Sequence, residues 1–195
     1  EIISLGGEIR FLTKVDDICI KNGRIVSVSA EGMEFPAENV IIAAGHSARD
    51  TFKMLKEKGV LMEAKPFSVG VRIEHLQSDI NRAQYGDFAE NPALWAAEYQ
   101  LSYHVGERCA YTFCMCPGGE VVAATSEEYG SVVNGMSYSK RDGVNSNCAV
   151  VCSVFKNDYG ATPEKAIEFQ RNIERGAFTA AGGDYKAPII TVGDF

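Results

Sequence analysis

Residues 67–74 read Phe-Ser-Val-Gly-Val-Arg-Ile-Glu, with Phe67, Val69, Val71 and Ile73 alternating against Ser68, Gly70, Arg72 and Glu74. Successive side chains of an extended strand point to opposite faces, so this two-residue period fits a strand and no helix. It predicts a sheet strand burying the Phe67–Ile73 face and turning Arg72 and Glu74 outward, where the two either pair or face solvent. Pro66 marks the break before it.

Upstream, Ile9–Thr13, Val15–Ile20 and Arg24–Ser29 read as short strands, and Asn22-Gly23 reads as a hairpin turn, because both residues tolerate the positive φ of a type I′ turn. A short strand follows at Met33–Phe35. Asn39–Ala44 is a continuous apolar run, the pattern of a strand covered on both faces. Gly45 then turns the chain into a helix that Ser47 is placed to cap, with Asp50 three residues on and Gly59 at its end.

Downstream, short helices are expected over Ser78–Tyr85 and from Asn91-Pro92. Tyr111–Met115 and Glu120–Thr125 flank Pro117-Gly118-Gly119 and read as a hairpin. Cys148–Phe155 reads as a strand and Asn134–Arg141 as a polar loop. Thr162-Pro163-Glu164 opens a last helix, whose buried face is Ala166, Phe169, Ile173 and Ala177 and whose end is Gly182-Gly183. These elements make an α+β chain divided into residues 1–60 and 61–195.

A net charge of -7, with no local stripe of Lys or Arg, is repelled by a phosphate backbone, so nucleic acid is not an expected partner. No apolar run approaches the roughly 18–20 residues of a membrane span, and no membrane association is expected. The six cysteines at 19, 109, 114, 116, 148 and 152 are too sparse for a disulfide scaffold and read as cytoplasmic thiols, mostly buried. Cys114 and Cys116 lack the further ligands that structural zinc requires, so no metal site is expected. The chain opens on Glu1-Ile2-Ile3 and closes directly after an extended segment, which reads as an internal piece of a longer protein.

Several long strings resemble FAD-dependent dehydrogenases of the two-dinucleotide-binding flavoprotein type: residues 40–51, residues 65–75, Phe113–Gly119, Asn134–Asp142 and the closing Asp194-Phe195. The resemblance covers essentially the whole chain. It implies an FAD-dependent oxidoreductase acting on a small-molecule substrate, with NAD(P)H as a candidate electron donor. It also implies that residues 1–60 are a remnant of a flavin-binding domain, a β-meander with a strand-turn-helix. Residues 61–195 are then an inserted, mixed-sheet substrate-side domain with peripheral helices.

In such flavoproteins the strand ending in small residues and glycine lies beside FAD, a role that Ala43, Ala44, Gly45 and His46 match by position. Arg72, His75, Asn134 and Arg141 are the substrate-side candidates, with Arg72 suited to a carboxylate and His75 to moving a proton. The family's G-x-G-x-x-G is absent from these 195 residues. The chain alone is therefore expected not to retain FAD and to need the remaining segments of the parent chain. The alternative is a non-catalytic binding or interaction module derived from such an enzyme.

Overall fold

The computed structural model describes residues 1–194 and is α+β. It divides into two compact units, residues 1–62 and Glu63 onward.

The first unit is built on an antiparallel meander of β1 (Val15–Lys21), β2 (Arg24–Ala30) and β3 (Met33–Pro36). Asn22 and Gly23 both take positive φ, 50° and 74°, as the tight hairpin requires. Ile18, Ala30 and Ser27 are buried. Helix α1 (Arg49–Glu57) packs on β1, and Lys58 at its C-terminal end reaches Asp17 at 2.6 Å.

Three expectations fail in this unit. Ile9–Thr13 is turn rather than strand, with Leu12 at φ 52° and Phe11 and Leu12 exposed. Val40–Ala44 has no strand partner among the described residues, and Ile41 is 94% exposed. An apolar run becomes a strand only where a neighbour accepts its ladder bonds, and the meander offers none to either segment. Ser47 does not cap α1: Ala48 is the cap residue, Ser47 Oγ bonds to His46 Nδ1 at 2.8 Å, and Asp50 pairs with Lys14 at 2.6 Å.

The second unit holds β4 (Phe67–Leu76), α2 (Gln77–Tyr85), β5 (Ser102–Val105), β6 (Arg108–Cys116), β7 (Gly119–Ala123), β8 (Val133–Ser137), β9 (Asn145–Val154), α3 (Lys156–Tyr159) and α4 (Pro163–Ala180). Four strands form one antiparallel sheet in the order β4-β9-β6-β5, and β7-β8 is a separate ribbon. The core lies at one end of the sheet. There Ala64, Val154 and Tyr159 are buried against Phe67, Val69, Ala166 and Phe169, with the Phe67 and Tyr159 rings 5.0 Å apart. Thr162 Oγ1 accepts the Lys165 N–H and Pro163 fills the first turn of α4. No helix among the described residues is long and apolar enough to cross a membrane.

The expected hairpin about Pro117-Gly118-Gly119 is not one. β6 pairs with β5 and β9, a bulge follows Phe113, and the turn carries the chain into the ribbon, where β7 pairs with β8. Within it Cys114 is exposed, not buried, and Cys116 is buried. Asn91-Pro92 starts a single turn rather than a helix: Asn91 Oδ1 caps the Ala93 N–H at 3.0 Å, and the chain leaves after Leu94. Ile173 is 44% exposed, so the buried face of α4 is shorter than its period implied.

Candidate functional site

β4 contacts its neighbours differently on its two faces. The expected buried face is covered only at Phe67 and Val69, while Val71 is 68% and Ile73 37% exposed. The other face, which carries Arg72 and Glu74, meets the ribbon: Glu74 Oε2 accepts the Val121 N–H at 3.3 Å, and Gly135 abuts Arg72. The polar face is thus partly internal and the apolar face partly open, because the ribbon covers the former and α4 reaches only one end of the latter.

Arg72 and Glu74 do not pair. Arg72 Nη1 donates to Asn147 Oδ1 at 2.6 Å and to the Cys114 carbonyl at 3.2 Å, whereas Glu74 Oε1 accepts from Asn145 Nδ2 at 2.6 Å. Asn147 lies on β9 opposite Glu74, so the bond from Arg72 runs diagonally between the two strands. Asn147 is fully buried, and its Nδ2 has no hydrogen-bond partner. A Cβ at Gly135 would overlap both Arg72 Nη1 and Asn147 Oδ1, so only glycine lets the ribbon approach. Beside it, Cys116, Pro117, Gly118 and Gly119 are all buried. Gln77 holds that turn, with Oε1 accepting the Gly118 N–H at 2.8 Å and Nε2 donating to the Ala97 carbonyl at 2.9 Å.

His75, three residues from Arg72, faces the opposite side. Its Nδ1 lies 2.8 Å from Ser146 Oγ and its Nε2 2.7 Å from Tyr99 Oη, which is in turn 2.9 Å from Cys148 Sγ. Ser146 and Cys148 are fully buried. Burial first, and then the bond to Cys148, raise the Tyr99 phenol above its ordinary pKa. It therefore stays protonated at neutral pH.

The structure does not gather the sequence candidates into one cluster. Asn134 lies on β8 rather than in a loop, paired with Val122, and its Oδ1 accepts the Gly135 N–H at 2.8 Å; it reaches the Arg72 site only through that neighbour. Arg141 is exposed at φ 53° and pairs with Glu98 at 3.7 Å. Asn147, Gln77, Tyr99, Ser146 and Cys148 were missed. The available signal was Asn145-Ser146-Asn147, three polar residues opening an otherwise apolar strand, which marks buried polar groups in need of partners.

In the first unit, Gly45 takes φ 81° with nothing within 4 Å of where a Cβ would stand. Ala43, Ala44 and Gly45 are exposed and carry nothing larger than a methyl group, so none of them would hold a flat ring away from the backbone. The pyrophosphate has no matching cradle: the chain contains no glycine-rich phosphate loop, and the first N–H of α1, on Arg49, is bonded to the Ser47 carbonyl. These residues fit one edge of a flavin and not the whole cofactor.

Comparison with known proteins places residues 66–195 in the family described as FAD-dependent protein, C-terminal domain-like, and the chain belongs to that family. An uncharacterized protein of Clostridium beijerinckii is 48% identical over 198 residues, covering all of this chain and 37% of the relative. The chain thus spans little more than a third of that relative's length.

Proposed function

We propose that this chain forms the substrate-side part of an FAD-dependent oxidoreductase, in which Arg72 holds the acidic group of a small-molecule substrate. One observation carries the assignment to Arg72. Its half-buried guanidinium has no carboxylate partner among the described residues and is held through Nη1 alone, beside the buried, unpartnered Nδ2 of Asn147. The edge of the guanidinium that Nη1 does not use is the group an incoming carboxylate would meet, while the fully buried Asn147 fixes its direction. His75, on the other face, takes no part in that site.

The family supports FAD as the cofactor, which supplies hydride or electron transfer when bound, with NAD(P)H as the proposed donor. Ala43, Ala44, Gly45 and His46 are proposed to border the flavin within the longer protein. Phe11, Leu12 and Ile41, each more than four-fifths exposed, are proposed to be covered by the remaining segments of the parent chain. Six free thiols fit a cytoplasmic location.

The test is an absorbance spectrum of the full-length parent, before and after adding reduced nicotinamide, followed by titration with benzoate. Flavin bands that bleach with the donor, and that benzoate perturbs in the wild type but not in Arg72→Leu, are expected. A colourless parent would overturn the flavin reading and favour a non-catalytic binding module. A benzoate response that survives Arg72→Leu would overturn the assignment of Arg72.

A further inference from the structure

The Cys114-Met115-Cys116 motif, which the proposed function leaves unused, occupies the bulge at the end of β6. The register passes from Phe113 opposite Ala149 to Cys116 opposite Asn147, so β6 carries one residue more than β9 there. Cys114 is exposed and takes φ 52°, in the left-handed region that residues other than glycine seldom enter. Cys116 is buried, and its Sγ turns back to within 3.5 Å of the Cys114 carbonyl oxygen. That same oxygen accepts from Arg72 Nη1 at 3.2 Å, and Nη1 stands 4.0 Å from Cys116 Sγ.

A disulfide needs its two Cα atoms about 4.4–6.8 Å apart. Residues two apart are separated by at most about 7 Å in a fully extended chain, and the left-handed turn at Cys114 shortens that span. The other thiols of this unit are out of reach. Cys109 lies five positions back along β6, about 16 Å away at the rise of a strand, and Cys152 pairs with Ala110, farther still from the bulge. Cys148 follows Asn147, but adjacent strand residues point to opposite faces, and its Sγ lies 2.9 Å from Tyr99 Oη on the His75 side. Cys114 and Cys116 therefore have only each other.

We infer that Cys114 and Cys116 form a dithiol site for thiol–disulfide exchange with a small, water-borne disulfide. Exposure sets the roles. The Cys114 thiolate attacks one sulfur of the external disulfide; that S–S bond breaks, its other sulfur leaves as a thiolate, and a mixed disulfide remains on Cys114. Cys116 then gives up its proton and attacks Cys114 Sγ, the mixed bond breaks, and the second external thiol leaves. The pair loses two electrons and two protons, and the external disulfide gains both. The new ring closes beside the carbonyl that anchors Arg72. The exchange does not rest on the carboxylate reading of Arg72, and its test needs neither benzoate nor nicotinamide.

The experiment incubates the full-length parent with excess glutathione disulfide, quenches in acid and maps the thiols by peptide mass spectrometry. In the wild type a link between Cys114 and Cys116 is expected, read as the loss of two hydrogens with no glutathione retained on either residue. Cys116→Ser should stop half-way and keep one glutathione on Cys114, whereas Cys114→Ser should leave the buried Cys116 a thiol. A wild type that keeps glutathione on Cys114, or leaves Cys114 unmodified, overturns the inference. So does a link from Cys114 to any other cysteine, or glutathione on Cys116 in Cys114→Ser. Should Cys116→Ser not fold, Cys116→Ala takes its place, and the wild-type product decides by itself: a mixed disulfide that never resolves into the link overturns the proposal.

Discussion

Arg72 donates from Nη1 to Oδ1 of Asn147 across a strand boundary, at 2.6 Å, and the acceptor is fully buried. The bond gives a guanidinium that carries no ion pair a fixed direction, and it gives the carboxamide one of the partners its burial demands. It ties the first charged residue of an alternating strand to the polar opening of β9.

Arg72→Met removes the charge at nearly constant length and leaves both polar atoms of Asn147 unpaired. A loss of about 1–3 kcal/mol is expected in denaturant titration. Asn147→Leu added to Arg72→Met should recover part of it, because two apolar partners leave nothing unsatisfied. Strict additivity of the two losses would count against this account.

Gly70 sits where a Cβ would run into the carbonyl oxygen of Val150 and the Cα of Val151. Those are backbone atoms of the neighbouring strand and cannot swing aside. Gly70→Ala is expected to cost on the order of 1–3 kcal/mol through overpacking, seen as a lowered unfolding midpoint, whereas Gly176→Ala, where a Cβ meets nothing within 4 Å, should not destabilise.

Asp158 receives Arg108 through both carboxylate oxygens and also accepts the Phe155 N–H at 2.7 Å. The Arg108 bond foremost, then the backbone bond, hold its pKa below the ordinary value of 3.8. A depressed carboxylate adds stability that is complete above its unfolded pKa and is lost as pH falls through its folded pKa. Wild type and Asp158→Asn should therefore differ by a constant amount above about pH 5 and converge in stronger acid. Urea midpoints across that range check this; a gap that stays unchanged into strong acid would contradict it.

Among the thiols, Cys114 is exposed, whereas Cys116 and Cys148 are buried. Brief alkylation of the native protein should label Cys114 first and spare Cys148 until the chain unfolds, as read by peptide mass spectrometry. Early labelling of Cys148 would mean that its contact with Tyr99 opens readily.

Local chemistry was legible in the sequence. Asn22-Gly23 specified the first hairpin because both residues accept positive φ, Thr162-Pro163 specified the start of α4, and the alternation after Pro66 specified β4 as extended. Arg72 and His75 were also legible as polar residues in an unusual setting. Their separation onto two faces follows from odd spacing alone, but their partners did not, since Asn147 and Ser146 lie more than seventy residues away.

Tertiary structure alone decided which strands pair and which face of β4 lies inside. Alternation tells two faces apart without saying what covers each. The ribbon of β7 and β8 settles on the polar face because Gly135 lets it meet Arg72, and α4 reaches only Phe67 and Val69 on the other. For the same reason Val40–Ala44, apolar enough for a buried strand, is not one here. A strand is a property of a pair of segments, and the sequence of one segment does not contain its partner.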